Sequence, residues 1–249
     1  MAGGYRSERA FVNKIDLESR ALGRSATYAA PVTPATAVVE RLRASTVAGA
    51  IRTRRLVVIL RRVSPRERLV ALVEELADAG ARIFEITFDA PSAADDLVAC
   101  RTALATRGDE FLLGAGTIRG VESLRAASDS GASFAVSPVL DPAVLEAALG
   151  LGVPFVPGGL SPTEIDAAWR AGATFVKVFP ASSVGPTHLR EIRGPLPEAQ
   201  LIPTGGVDGD SAPRYLAAGA AAVGIGGALV NAPPEARRAI VSAVADVAR

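Results

Sequence analysis

The sequence has little of several residue types, and each scarcity excludes a class of protein. It has one cysteine, Cys100, in 249 residues, so no intramolecular disulfide can form and a reducing compartment is expected. No apolar run approaches the roughly 20 residues of a membrane-spanning helix. Its 27 basic residues nearly balance its 26 acidic residues, which argues against a protein that binds nucleic acid or a membrane surface. We therefore expect a cytoplasmic protein without such partners.

Lysine is also scarce. Lys14 and Lys177 are the only two lysines, so 25 of the 27 basic residues are arginines. Lys177 lies in the segment Thr174–Pro180, whose β-branched and aromatic residues are typical of a short buried strand. Because arginine cannot lose its proton and a desolvated lysine can, a need for a free amine would explain the lysine. The alternative is a lysine whose charged end extends from the strand end into water.

From residue 36 onward, apolar strands alternate with helices. Residues 36–52 have apolar residues at near-helical spacing, which predicts a helix before the first strand. The segments Ser64–Glu67 and Ser161–Glu164 predict capping boxes that begin two later helices. The predicted strands are Leu56–Leu60, Arg82–Phe88, Phe111–Ala115, Ser133–Ser137, Pro154–Pro157, Thr174–Phe179, Gln200–Thr204 and Ala221–Ile225.

Eight strands that alternate with eight helices predict an α/β protein with a parallel sheet. Eight units in about 200 residues favour a (β/α)8 TIM barrel, here with the extra N-terminal helix. An open doubly wound sheet is the alternative, but the glycine-rich turn that it would need is missing after Leu60. Residues 1–35 end in the linker-like Ala29–Pro34. They predict a flexible extension or an oligomer arm beside a barrel of residues 36–249.

Two charged residues are predicted inside the barrel. Glu85 lies in the middle of the second strand and Lys177 in the middle of the sixth. Because a charged group facing the helices would be costly, we expect both to point inward and to converge. A desolvated lysine amine can form a Schiff base with a ketone, and a nearby carboxyl group can transfer the protons. A buried ion pair with only a structural role is the alternative.

Paired glycines follow the seventh and eighth strands, as Gly205-Gly206 and Gly226-Gly227. In many barrels the loops at these two positions bind phosphate through backbone N–H groups. The two pairs therefore predict a phosphate site, with plain tight turns as the alternative.

The motifs, taken together and in order, resemble the class I aldolases that cleave 2-keto-3-deoxy-6-phosphogluconate (KDPG) or 4-hydroxy-2-oxoglutarate (KHG). The resemblance covers residues from 36 to about 248. It is carried by Val58–Arg61, Phe84–Thr87, Gly114–Thr117, Val136–Pro138, Val176–Pro180, Val184–Pro186 and Pro203–Val207.

The resemblance implies roles for individual residues. Lys177 would be the Schiff-base lysine and Glu85 the general acid and base. Substrate binding would involve Arg61, Thr87, Thr117, Pro157, Phe179 and Thr204, and phosphate binding would involve Gly205, Gly206, Gly226 and Gly227. The resemblance implies no metal ion and no organic cofactor, a small-molecule substrate and a homotrimer.

The chain departs from the family pattern at two positions. Asp89 stands where some members have an arginine that binds the substrate carboxylate, and Arg61 fits the position from which other members supply it. Ala228 stands where some members have a serine near the phosphate. Three alternatives therefore stay open: a galactonate-specific aldolase of the same family, a phosphate-binding barrel isomerase or synthase, and a non-catalytic assembly protein.

Overall fold

The structure, a computed structural model, describes residues 36–107 and 110–247; the prediction for residues 1–35 lies outside them. Two helices precede the first strand where the sequence predicted one, α1 (Thr36–Arg43) and α2 (Thr46–Arg54). Ser45 separates them because its hydroxyl oxygen accepts a hydrogen bond from the N–H of Ala48 and caps the start of α2.

The remaining strands and helices alternate as predicted, except at residues 155–159, where two short strands follow each other. In chain order they are β1 (Leu56–Leu60), α3 (Arg66–Asp78), β2 (Ile83–Thr87), α4 (Ala93–Ala105), β3 (Leu112–Gly116), α5 (Val121–Asp129), β4 (Ala135–Val136), α6 (Pro142–Leu151), β5 (Phe155–Val156), β6 (Gly158–Gly159), α7 (Pro162–Arg170), β7 (Val176–Val178), a 3-10 turn (Ala181–Ser183), α8 (Gly185–Arg193), β8 (Leu201–Pro203), α9 (Ala212–Ala217), β9 (Val223–Ile225), α10 (Gly227–Val230) and α11 (Pro234–Val247). None of the helices in these ranges is both long and apolar enough to span a membrane.

The strands form two parallel sheets, one in the order β5-β4-β3-β2-β1-β9 and one in the order β6-β7-β8. Only Pro157 separates β5 from β6, so a single short segment passes from the first sheet to the second. At the other edge Thr204 pairs in parallel with Gly224, and the N–H of Ala221 donates to the carbonyl of Leu201 over 2.9 Å. The predicted α/β class with a parallel sheet is therefore confirmed.

The two predicted capping boxes have different outcomes. Ser161 and Glu164 form a complete one at the start of α7, with both reciprocal hydrogen bonds present. The box predicted at Ser64 is wrong, because Pro65 occupies the N-cap position of α3 and has no side-chain acceptor. The helix itself starts where expected, within one turn.

The sheets separate two apolar clusters, and the smaller one explains the direction of the functional side chains. Its buried members are Ala48, Ile51, Val57, Ile83, Phe134, Val136, Val156, Phe175, Ile202 and Ala222. Residues two apart on a strand point the same way, so Glu85 shares a face with Ile83, and Lys177 shares one with Phe175. Both charged residues therefore point to the side of the sheets on which this interior cluster lies, as predicted.

Candidate active site

A cavity of about 990 Å³ lies at the carboxyl ends of the strands. Eleven of the twelve site residues predicted from the sequence line it: Arg61, Glu85, Thr87, Thr117, Lys177, Phe179, Thr204, Gly205, Gly206, Gly226 and Gly227. A cavity of this size can hold a sugar-acid phosphate.

Lys177 lies in the middle of β7 and is buried, with 7% of the residue exposed. The alternative of a side chain extended into bulk water is therefore wrong. Its Nζ lies 5.1 Å from the centre of the Phe179 ring, a distance at which the ring face attracts a cation. The backbone N–H of Lys177 donates to the carbonyl of Pro157 over 2.9 Å. Pro157 thus supports the strand rather than lining the cavity.

Glu85 lies in β2 with 2% of the residue exposed. Burial raises the pKa of its carboxyl group, and the positive charges of Lys177 and Arg61 offset only part of that rise. Both side chains line the same cavity, so the predicted convergence is confirmed. A carboxyl group with a raised pKa can hold a proton and release it nearer to neutral pH, as a general acid and base must.

A group of charged residues surrounds Asp89, and its members Arg61, Arg62 and Thr87 line the cavity. Arg61 contacts Oδ2 of Asp89 through Nε at 3.0 Å and Nη2 at 2.9 Å, and Arg62 contacts it through Nε at 3.1 Å. The hydroxyl of Thr87 donates to Oδ1 of Asp89 over 2.8 Å. Burial favours the neutral Asp89 carboxyl, but the Thr87 hydrogen bond and the two arginines outweigh it and hold the pKa of Asp89 below its ordinary value.

The ends of β8 and β9 carry the paired glycines, and β9 pairs with β1, whose end carries Arg61. Gly205 and Gly206 have φ angles of +89° and +72°, in the left-handed region that favours glycine. A Cβ at Gly206 would lie 2.5 Å from Cβ of Ser182, so no side chain fits there. In the described part of the chain neither N–H donates to another backbone group, so both are available to a ligand. Gly227 begins the short helix α10, and the methyl group of Ala228 beside it can donate no hydrogen bond.

Four polar or charged lining residues were not predicted as site residues, namely Arg62, Arg119, Asp208 and Asn231. Asp208 accepts hydrogen bonds from the N–H and hydroxyl of Ser211 at 2.8 and 2.7 Å, which hold its pKa below the ordinary value. The only sequence signal that could have indicated Asp208 as a site residue was its position two residues after Gly206. Across residues 36–107 and 110–247, no group of three or more His, Cys, Asp or Glu side chains is arranged to hold a metal ion.

Comparison with known proteins agrees with this geometry. The family model for KDPG and KHG aldolases matches residues 47–240. A 2-dehydro-3-deoxy-phosphogluconate aldolase of Treponema pallidum is 39% identical over 162 residues, which are 65% of this chain and 74% of that protein. A 2-dehydro-3-deoxy-6-phosphogalactonate aldolase of Escherichia coli is 33% identical over 193 residues, which are 77% of this chain and 92% of the relative.

A solved structure adds a chemical observation. The KDPG aldolase of Legionella pneumophila is 27% identical, superimposes with a TM-score of 0.68, and is matched over 80% of this chain and 97% of its own. That structure holds pyruvate captured at low pH as a covalent carbinolamine intermediate. The family match covers well over half of the sequence, including every residue that lines the cavity. The chain belongs to the KDPG and KHG aldolase family.

Proposed function

We propose that this protein is a class I aldolase that reversibly cleaves KDPG to pyruvate and glyceraldehyde 3-phosphate. The observation that carries the proposal is that two buried groups, the amine of Lys177 and the carboxyl group of Glu85, line one cavity. The names of the family relatives support the same reaction.

Lys177 is the nucleophile in this reaction. Its neutral amine attacks the C2 ketone of the substrate, and loss of water from the carbinolamine gives a protonated imine. The electron pair of the C3–C4 bond then moves toward the imine nitrogen while the C4 hydroxyl loses its proton. Glyceraldehyde 3-phosphate departs and leaves the enamine of pyruvate. Protonation of that enamine at C3 and hydrolysis of the imine release pyruvate and restore the amine.

Glu85 moves the protons in these steps. The same carboxyl group takes the C4 proton in one step and returns a proton to C3 in a later one. The raised pKa of Glu85 supports this role, because a carboxyl group with an ordinary pKa is almost fully ionised at neutral pH and has few protons to donate.

The two ends of the substrate bind to two different groups of residues in the cavity. Arg61 holds the carboxylate next to the reacting ketone, with Thr87, Thr117, Thr204 and Phe179 around the carbon chain and Pro157 behind Lys177. The N–H groups of Gly205, Gly206, Gly226 and Gly227 hold the phosphate. The left-handed conformation of the first glycine pair supports this assignment, because it brings the backbone to the cavity wall.

We also propose the overall architecture. The two sheets close into one (β/α)8 barrel, with α1 and α2 as the extra N-terminal helices. The passage through Pro157 at one junction and the Thr204–Gly224 pairing at the other support closure. Residues 36–249 form the catalytic barrel, and residues 1–35 form an extension. A homotrimer and a cytoplasmic location remain predictions.

A second candidate function is cleavage of the galactonate epimer, 2-dehydro-3-deoxy-6-phosphogalactonate. It is favoured by the 33% identity to a galactonate aldolase over 92% of that relative. The two reactions differ only in the configuration of one hydroxyl group. Cleavage of KHG to pyruvate and glyoxylate is a further activity of the same lysine. A barrel isomerase or an assembly protein would not need a buried lysine beside a buried glutamate.

The test compares kcat/KM for KDPG, its galactonate epimer and KHG, with pyruvate release as the readout. We expect the highest value for KDPG and a loss of at least about 1,000-fold in Lys177→Met, because covalent catalysis is removed. Lys14→Met is the matched control, since it changes the only other lysine. Equal activity in the two variants would refute the assignment of Lys177.

A further inference from the structure

Asp89 joins two arginines at the mouth of the cavity. Only 11% of the Asp89 side chain is exposed, against 60% for Arg61 and 66% for Arg62. The carboxylate is therefore the fixed member of the group, and Thr87 holds its other oxygen. Two long, exposed side chains that would otherwise move freely in water are tied to one buried anchor.

The contacts use only one side of each arginine. Arg61 presents Nε and Nη2 to Asp89, and Arg62 presents Nε to the carboxylate and Nη2 to the backbone carbonyl of Asp89 at 3.4 Å. Within the described ranges, Nη1 of neither arginine has a partner. A guanidinium can bind a second carboxylate through its Nη1 and Nη2 edge. Both arginines line the cavity, and we expect that edge to meet a ligand there.

The backbone of Arg62 gives a separate reason to assign it a function. Its φ angle is +50°, which is uncommon for a residue other than glycine. Such conformations persist where the surroundings hold them, and they concentrate at ligand-binding sites. Here the two contacts with Asp89 hold the Arg62 side chain toward the cavity.

We propose that Arg61 and Arg62 together bind the substrate carboxylate and that Asp89 is the positioning residue that fixes both. Arg62 is thus a second substrate-binding residue. Two positive charges and one negative charge leave the mouth with a net charge of +1, which matches a single carboxylate. This proposal rests on the aldolase function proposed above. The opposing account is that Asp89 merely screens the arginines, in which case its removal should strengthen the binding of anions.

The test measures the pyruvate concentration that gives half-maximal borohydride trapping on Lys177, together with KM and kcat for KDPG cleavage. We expect Arg62→Met and Asp89→Ala each to raise the half-maximal pyruvate concentration and KM by about 10-fold or more, as for the loss of a charge-assisted hydrogen bond. We expect kcat to change by less than about threefold, because neither Lys177 nor Glu85 is altered. Asp89→Asn, which keeps the shape and loses the charge, should lie between Asp89→Ala and the wild type.

Two controls match these variants. Arg68→Met removes an exposed arginine outside the cavity, and Asp95→Ala removes an aspartate that pairs with Arg66 at 3.5 Å on the surface. Both should leave the half-maximal pyruvate concentration unchanged. Circular dichroism of every variant confirms folding, and Arg62→Met keeps the test decisive if Asp89→Ala does not fold.

The outcomes separate the two proposals. If Asp89→Ala binds pyruvate as well as or better than the wild type, Asp89 only screens and its positioning role is wrong. If Arg62→Met binds pyruvate normally, Arg62 does not contact the carboxylate. In both cases normal trapping on Lys177 leaves the aldolase function standing. If the folded wild type gives no trapping at any pyruvate concentration, both proposals are overturned.

Discussion

Gly116 leaves the space that the carboxyl group of Glu85 occupies. The two residues lie on the neighbouring strands β3 and β2, and a Cβ built on Gly116 would overlap with Oε1 of Glu85 and lie 2.6 Å from its Cδ. Such separations are far inside van der Waals contact. The buried carboxyl group of Glu85, and not the strand itself, therefore requires glycine at position 116.

We predict that Gly116→Ala lowers kcat by about 100-fold, because the added methyl group displaces Glu85 and general acid–base catalysis contributes at least that much. Steady-state kinetics measures the loss. Gly120→Ala is the control, since its added Cβ meets nothing within 4 Å. Near-normal kcat in a folded Gly116→Ala protein would show that the carboxyl group does not need its observed position.

The difference in stability between Glu85→Gln and the wild type should depend on pH. Burial raises the folded-state pKa of Glu85 above its unfolded value. The group's contribution to stability is therefore complete below the unfolded pKa and is lost as pH rises through the folded pKa. Glutamine stays neutral, so we expect Glu85→Gln to gain stability over the wild type as pH rises across that window. Urea unfolding at a series of pH values measures the difference in free energy of unfolding. A constant difference would mean that Glu85 titrates as in the unfolded chain.

The glycine turn at the phosphate end gives a prediction with a matched control. Gly206→Ala places a methyl group against Ser182 in a left-handed conformation, whereas Gly152→Ala, with φ of +70°, meets nothing within 4 Å. Both should lose about 1 kcal/mol of stability from the strained backbone, and Gly206→Ala should lose more because its methyl group also overlaps with Ser182. Only Gly206→Ala should raise KM for KDPG, by about 10-fold. Pyruvate trapping on Lys177 should be normal in both, because pyruvate has no phosphate. A matching loss of pyruvate binding in Gly206→Ala would argue against a phosphate site there.

Cys100 should be inert in the folded protein. It is fully buried, and burial raises the pKa of its thiol to about 12. We expect no reaction with a thiol reagent until the protein is unfolded by denaturant. Cys100→Ser should cost roughly 1–3 kcal/mol of stability, because a hydroxyl replaces a thiol in an apolar site, and Cys100→Ala should cost less. Rapid labelling of the native protein would contradict the burial.

The sequence predicted the parts of the fold that depend on local patterns. Apolar strands and the helical spacing of apolar residues between them are visible in any single stretch of chain, so the parallel α/β class followed from them. The prediction was wrong where a single residue changes the boundary of a helix or strand. Ser45 divides the first helix, Pro65 replaces a side-chain cap, and Pro157 interrupts a strand.

The candidate site was predicted where the chemistry requires a particular residue type. Lys177 and Glu85 are charged residues in apolar strands, and a strand's alternation fixes where they point. Arg62 and Arg119 could not be found in this way. They lie in loops of an arginine-rich chain, and their approach to the cavity depends on loop conformation that no periodicity encodes.

The central claim is that Lys177 forms an imine with a 2-keto acid. The most direct measurement is incubation with pyruvate and sodium borohydride followed by peptide mass spectrometry, with Lys177→Arg and Lys14→Arg in parallel. The account predicts a reduced pyruvyl adduct on Lys177 in the wild type and in Lys14→Arg, and none in Lys177→Arg. An adduct-free Lys177 in folded wild-type protein, or an equal adduct on Lys14, would contradict it.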